Sequence, residues 1–262
     1  MRPIDEQTIL ITGATDGLGR ALAAELAAEG ATVLVHGRSE ERGKATLEEI
    51  GGRASWYLAD LSSLAETRAL AEAVRADHPR LDVLVNNAGI GGPRDREESA
   101  DGHELTFAVN YLSGYLLTRL LLPTLAASAP ARIVNVSSLG QQAIDFDDVM
   151  LTRGYGPTRA YCQSKLAQIL FTIDLDAELA GTNVTANALH PATYMPTKMV
   201  SSPISTLEEG LRATHRLVTD PALDEVSGRF FDGLDEARAD AQAYDTGARD
   251  RLRALSDDLT AP

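Results

Sequence analysis

The chain has 262 residues, 44% hydrophobic and 24% charged, with 38 acidic and 24 basic side chains for a net charge of −14. That length and apolar content support a buried core and exclude disorder as the main state. The negative surface disfavours nucleic acid and anionic lipid, and the single Cys162 excludes an internal disulfide or a multi-cysteine metal site.

From the N-terminus, short apolar runs alternate with helical patterns. Residues 8–12 run apolar and stop at Gly13; residues 17–29 are Ala/Leu-rich and end at Gly30. A second run covers 32–36, and a helix over 39–50 starts at a Ser39 cap and ends at Gly51-Gly52. A third run, 56–59, precedes Ser62-Ser63-Leu64-Ala65-Glu66, whose pattern predicts a capping box and a helix to Asp77. Further strands are expected at 83–86, 133–136, 184–189 and 229–231, with a long helix over 156–180. Segments 145–157 and 193–205 read as irregular loops, and the charged stretch 234–259 is expected to dock one helix on the body, with a partner-binding tail as the alternative.

Uninterrupted apolar strands between helices imply a doubly wound parallel sheet with helices on both faces. No linker, repeat or low-complexity tract breaks the chain, so residues 1–262 read as one domain of the α/β class. The longest apolar stretches, such as 116–122, fall short of a membrane span, and the N-terminus lacks a signal core. A cytoplasmic protein with no membrane partner is the expectation.

The first strand leads into Thr12-Gly13-Ala14-Thr15-Asp16-Gly17-Leu18-Gly19 and then a helix. Glycines at this spacing allow a sharp turn and close approach of a pyrophosphate, which the free N–H groups of the helix start attract. Gly13, Thr15, Asp16, Gly17, Leu18 and Gly19 are the candidate contacts. At the end of the second strand stands His36-Gly37-Arg38-Ser39, with no carboxylate for the adenosine ribose. Arg38 suits a 2′-phosphate, so NADP(H) is expected over NAD(H). Asp16 argues against that reading, because its charge lies in the same loop; the alternative leaves Arg38 on a solvated surface. Asp60-Leu61 ends the third strand, placed for an adenine amino group. Asn86-Asn87-Ala88-Gly89 ends the fourth, with small residues that let a flat ligand pass.

Tyr161 and Lys165 are four apart, on one face of the long helix. A neighbouring ammonium favours the phenolate and lowers the Tyr pKa from about 10, which suits proton transfer near neutral pH. Ser137-Ser138 ends the fifth strand upstream.

Together, the glycine segment, Asn86-Asn87-Ala88-Gly89, Asn110, Ser138 and Tyr161-x-x-x-Lys165 resemble the short-chain dehydrogenase/reductase family. The resemblance covers nearly the whole chain. It implies a Rossmann-type sheet of about seven strands and hydride transfer between a nicotinamide and a carbonyl or alcohol carbon. It also implies roles. Tyr161 is the general acid or base. Lys165 lowers its pKa and holds the nicotinamide ribose. Ser138, with Ser137 as the alternative, bonds the substrate oxygen. Asn110 anchors a water that leads to Lys165. Asn87, Ala88 and Gly89 line the cofactor.

The family pattern of Pro-Gly after the sixth strand is replaced by His190-Pro191-Ala192-Thr193. Pro191 and Thr193 are candidate cofactor contacts, and the choice between Thr193 and Thr197 stays open. The 23 positions from Ser138 to Tyr161 exceed the spacing of compact members. With Ile144-Asp145-Phe146-Asp147-Asp148 and Tyr161-Cys162-Gln163-Ser164-Lys165-Leu166-Ala167, that spacing resembles retinol-dehydrogenase-like and WW-domain-oxidoreductase-like members, which tend to use NADP(H). Members acting on membrane lipids often carry an N-terminal anchor, and none is expected here.

Tyr194, Met195, Met199, Val200 and Ile204 suggest a lid for an apolar or mixed small-molecule substrate; the other reading packs them into the body. Cys162 reads as packing, and the five scattered histidines show no metal-ligand spacing, so no metal is expected. The resemblance also raises pairing through helices near 105–125 and 158–179, giving a homodimer or homotetramer, with a monomer as the alternative. Two other functions remain: a cofactor-binding sensor or scaffold without catalysis, and C=C reduction or epimerisation on the same fold.

Overall fold

The computed structural model describes residues 1–197 and 200–261. In chain order the elements are β1 (Thr8–Ile11), α1 (Gly17–Ala28), β2 (Thr32–Gly37), α2 (Glu40–Ile50), β3 (Ala54–Leu58), α3 (Leu64–Asp77), β4 (Val83–Asn86) and α4 (Leu105–Phe107). A π-helical turn (Ala108–Leu112) joins α4 to α5 (Ser113–Ser128). Then follow β5 (Ala131–Val136), α6 (Pro157–Leu179), β6 (Val184–His190), α7 (Leu207–Thr219), β7 (Phe230–Asp232), β8 (Asp235–Ala237) and α8 (Thr246–Leu259).

The sheet order is β3-β2-β1-β4-β5-β6-β7-β8. Strands β1 to β7 pair in parallel, and only β8 runs antiparallel, against β7. The chain reverses its order of strand addition between β1 and β4. Loops leaving those two strands turn to opposite faces and open a crevice, where ligands of such sheets bind. The sheet has eight strands where about seven were expected, and the eighth is a short edge strand. It returns from β7 through Gly233-Leu234, with Gly233 at φ +60° as the first loop residue of a two-residue hairpin. Three short, largely exposed residues give β8 no apolar signature.

Side chains alternate across the pleat and build two cores. Ile9, Ile11, Val33, Val35, Val83 and Val85 face Leu18, Leu22 and Leu26 of α1 and Leu217 and Val218 of α7. Leu10, Leu34, Leu84 and Ile133 face the opposite layer, with Leu121 and Leu125 of α5 and Leu166, Ile169 and Leu170 of α6. Helix α7 lies outside the expected elements. It starts with a reciprocal capping box between Thr206 and Glu209. The pair expected at Ser63 and Glu66 forms only half of one. Ser63 caps the Glu66 amide, but the Glu66 carboxylate accepts from the Asp60 amide at 2.6 Å instead.

The expectation that no segment is long enough to span a membrane also needs correction. Leu105–Ser128 is one helical run of 24 residues with mean hydropathy 1.2, and 67% of its window is buried inside the fold. Core packing accounts for its apolar character. Helix α8 lies across the same layer: Tyr111 Oη meets Ser256 Oγ at 2.7 Å, Tyr115 Oη donates to Asp257 at 2.6 Å, and Arg253 pairs with Asp174 at 2.7 Å. It thereby packs against Tyr111 of the π-helical turn, Tyr115 of α5 and Asp174 of α6.

Candidate active site and cofactor cleft

The crevice between β1 and β4 is built from tight backbone. Gly13 and Gly17 have φ of +66° and +48°, a conformation that favours glycine. A Cβ at Gly19 would stand 2.4 Å from the Gly13 carbonyl oxygen, and one at Gly13 would stand 2.9 Å from Ala88 Cα. Thr12 Oγ1 accepts from the amides of Asn87 and Ala88, both at 3.0 Å, and Asn87 Nδ2 donates to Thr12 O at 2.8 Å. The two strand ends are therefore stitched together. Asp16 caps α1 through the Gly17 amide, and its other oxygen lies 3.6 Å from Arg42. Thr15 and Leu18 are buried in this turn. A cradle whose glycines leave no room for side chains fits a dinucleotide pyrophosphate; its adenosine would lie toward Gly37 and Asp60.

Arg38 is exposed at the end of β2. Gly37 has a steric role besides its lack of charge, since a Cβ there would meet Thr15 Cγ2 at 2.8 Å. The Asp60 carboxylate accepts from the Ser62 amide at 2.9 Å, and Leu61 beside it is buried.

The other end of the cleft gathers the expected chemistry. Ser138 Oγ accepts from the Gly140 amide at 3.0 Å. Burial pushes the Tyr161 phenol up from its ordinary pKa, and its hydrogen bond with Ser138 pulls the other way. Ser137 Oγ instead donates to the Lys165 carbonyl at 2.6 Å, inside the fold. Of the two serines, Ser138 is the one beside Tyr161. Lys165 Nζ lies 5.7 Å from the Tyr161 ring centroid and donates to Val136 O at 2.8 Å and Gln168 Oε1 at 3.1 Å. Burial pushes Lys165 down to about 7. The expected lowering of the Tyr161 pKa by an adjacent ammonium is thus not what the protein groups alone produce: desolvation dominates at both residues.

Asn110 sits in the π turn that separates α4 from α5. Its Oδ1 accepts from the Ile90 amide at 2.7 Å, and its Nδ2 donates to Ile90 O and Ser164 Oγ, both at 3.0 Å. The side chain thereby fixes the loop after β4. Gly89 lies between Asn110 and Lys165, with room for a Cβ only 3.3 Å and 3.4 Å from them. Beside this cluster a small cavity of about 10 Å³ is lined by Asn86, Asn110, Gly114 and Gln168.

Pro191 is buried after β6. The Thr193 hydroxyl is taken by His190 Nε2 at 2.9 Å. Thr197 is the residue brought to the glycine turn, its methyl 3.3 Å from the Gly17 Cβ position. The chain folds back after Tyr194, at φ +48°, which sets Thr197 beside the glycine turn while the Thr193 hydroxyl is engaged by His190. Leu139, Tyr194 and Ile204 are exposed large apolar residues on these loops, while Met199 of the expected lid lies outside the described residues. Cys162 is half-buried, and its sulfur is 3.5 Å from the Cβ position of Gly140. No cluster of metal-ligating side chains occurs among the described residues.

Two residues of the cleft carry no motif. Gln168 is read only through its bond to Lys165. His36, an ionisable residue at the end of an otherwise apolar buried strand, signals itself by that anomaly.

The fold and cleft define a Rossmann-type nucleotide-binding oxidoreductase. Residues 7–207 match the family described as short chain dehydrogenase, and the chain belongs to that family. It is 38% identical to human retinol dehydrogenase 13 over 97% of this chain and 84% of that one. With human retinol dehydrogenase 14 the identity is 37%, over 96% and 85% of the two chains. Among solved structures, a protein from Mycobacterium paratuberculosis superposes with TM-score 0.83 at 32% identity, covering 97% of this chain and 93% of that one. A 3-ketoacyl-(acyl-carrier-protein) reductase from Brucella melitensis complexed with NADH superposes with TM-score 0.71 at 26% identity, covering 87% and 96%.

Proposed function

We propose that the chain moves a hydride between NADP(H) and the carbonyl or alcohol carbon of a small apolar or mixed-polarity substrate. The observation that carries this reading is the Ser138–Tyr161 pair, with Lys165 beneath it. The nicotinamide, when bound, supplies or takes the hydride. Ser138 accepts from the Gly140 amide, which leaves its own proton free for a substrate oxygen or the phenol. Tyr161 gives the proton to the nascent alkoxide in reduction and takes it back in oxidation. Lys165 would hold the nicotinamide ribose and, charged in that company, would favour the phenolate of Tyr161. Arg38, at the end of a strand that carries no carboxylate, supports NADP(H) over NAD(H).

Exposed Leu139, Tyr194 and Ile204 favour an apolar substrate, and the named activity of the retinol dehydrogenases makes a retinoid aldehyde or alcohol a member of that class to test. The experiment follows NADPH consumption against aldehydes, ketones and quinones, retinal included, beside Tyr161→Phe. The variant should bind cofactor and lose turnover. Turnover retained in Tyr161→Phe would refute the mechanism. Tight NADPH binding without turnover on the widened panel would favour a sensor or scaffold.

A further inference from the structure

We propose that His36 is a positioning residue for the cofactor, whose neutral imidazole sets the pyrophosphate turn against the adenine side of the cleft. The inference rests on the dinucleotide reading above. His36 is 2% exposed and stands where β2 passes between the two cofactor-facing segments. Its Nδ1 meets the Gly13 amide at 3.2 Å, and its Nε2 meets the Ala59 carbonyl at 3.1 Å. A carbonyl only accepts, so Nε2 carries the proton and Nδ1 is left as the acceptor for Gly13 N–H. One tautomer satisfies both bonds at once. The His36 carbonyl takes the next amide of the turn, Ala14, at 2.8 Å. Ala59 in turn donates its amide to Gly37 O at 3.2 Å and immediately precedes Asp60. A single side chain therefore holds the β1–α1 turn, β2 and the end of β3 in register.

A protonated ring would place N–H against N–H at Gly13 and break the tie. Burial prevents this by holding the His36 pKa down to about 4. The hydrogen bond to the Ala59 carbonyl and, less, the Asp60 carboxylate oppose burial, too weakly to prevail. The neutral form is thus present throughout the range in which the cofactor is used.

The two ring nitrogens can be tested separately. Asn places an acceptor at the Nδ1 position and has no atom at Nε2, whereas Gln places a donor at Nε2 and has none at Nδ1. His36→Asn, His36→Gln and His36→Leu would be titrated with NADP⁺ and NAD⁺ by calorimetry, with melting temperatures taken without ligand. If the Gly13 bond positions the turn, His36→Gln and His36→Leu weaken both dinucleotides about ten-fold or more, and His36→Asn stays within about three-fold of wild type. Unchanged affinity in His36→Gln would overturn the proposal. So would affinity losses that follow the melting temperatures regardless of which nitrogen is mimicked. A wild-type protein that binds neither dinucleotide would fail the underlying cofactor reading, which the same titration reports separately.

Discussion

Gly19→Ala tests how tightly the cofactor turn is packed. Gly19 is in the first turn of α1, where alanine would gain up to about 1 kcal/mol in helix propensity over glycine. The structure opposes that gain. The new Cβ would stand 2.4 Å from the Gly13 carbonyl oxygen and 2.5 Å from Asn87 Nδ2. The first neighbour is backbone held in a positive-φ turn. The second is a side chain whose bond to Thr12 O, at 2.8 Å, joins β1 to β4. Overpacking of this kind costs about 1–3 kcal/mol, and a displaced amide adds about 1 kcal/mol. The net expectation is a loss of about 1–3 kcal/mol, with a fall in Tm of roughly 2–8 °C. Urea unfolding followed by circular dichroism measures it. Gly91→Ala is the control, because Gly91 has nothing within 4 Å of its Cβ position. In an Asn87→Ala background the cost of Gly19→Ala should shrink without vanishing, since the Gly13 contact stays. A Gly19→Ala protein with wild-type midpoint and NADP⁺ affinity would refute the close-approach argument.

Lys165→Met should stabilise the ligand-free protein by roughly 1–3 kcal/mol at pH 7 while abolishing turnover. The folded pKa of about 7 lies below the ordinary 10.5, so between those values the unfolded state binds a proton that the native state lacks. Wild-type stability should therefore rise with pH through that window, and the variant should lose this component of the rise; identical slopes in urea melts at pH 7 and 9 would count against it. Gly43→Ala would drive a Cβ to 2.4–2.5 Å from the indole of Trp56, the chain's sole tryptophan. A loss of about 1–3 kcal/mol and a red-shifted emission are expected; an unchanged spectrum and midpoint would show that α2 moves freely over β3.

What could be read from the sequence was whatever is local. Runs rich in apolar residues at 8–12, 32–36 and 184–189 marked strands because a sheet buried on both faces needs no regular polar alternation. The glycine turn and Tyr161-x-x-x-Lys165 marked the two ends of the cleft, since their chemistry depends on fixed short spacings. Helix α7 escaped notice because its start is a polar capping box following an irregular loop. Strand β8 escaped because its residues are exposed and acidic. The half-formed box at Ser63 failed for a tertiary reason: the Asp60 amide, brought close by the turn after β3, took the Glu66 carboxylate.

Inside the site, short spacing leaves two matters to the fold. Thr193 and Thr197 are four residues apart on one loop, and spacing alone cannot decide between them. In the fold His190 binds the Thr193 hydroxyl, and the turn after Tyr194 returns Thr197 over Gly17. Likewise the pairing of Tyr161 with Lys165 was correct in sequence but incomplete in energy. Helix spacing puts the two on one face. It does not record that the face is buried against Val136 and Gln168, where desolvation raises one group and lowers the other. Burial thus disfavours the charged form of both groups, so the ligand-free cleft holds the pair toward its neutral state, and any charge the chemistry needs there has to be stabilised by groups other than the two themselves.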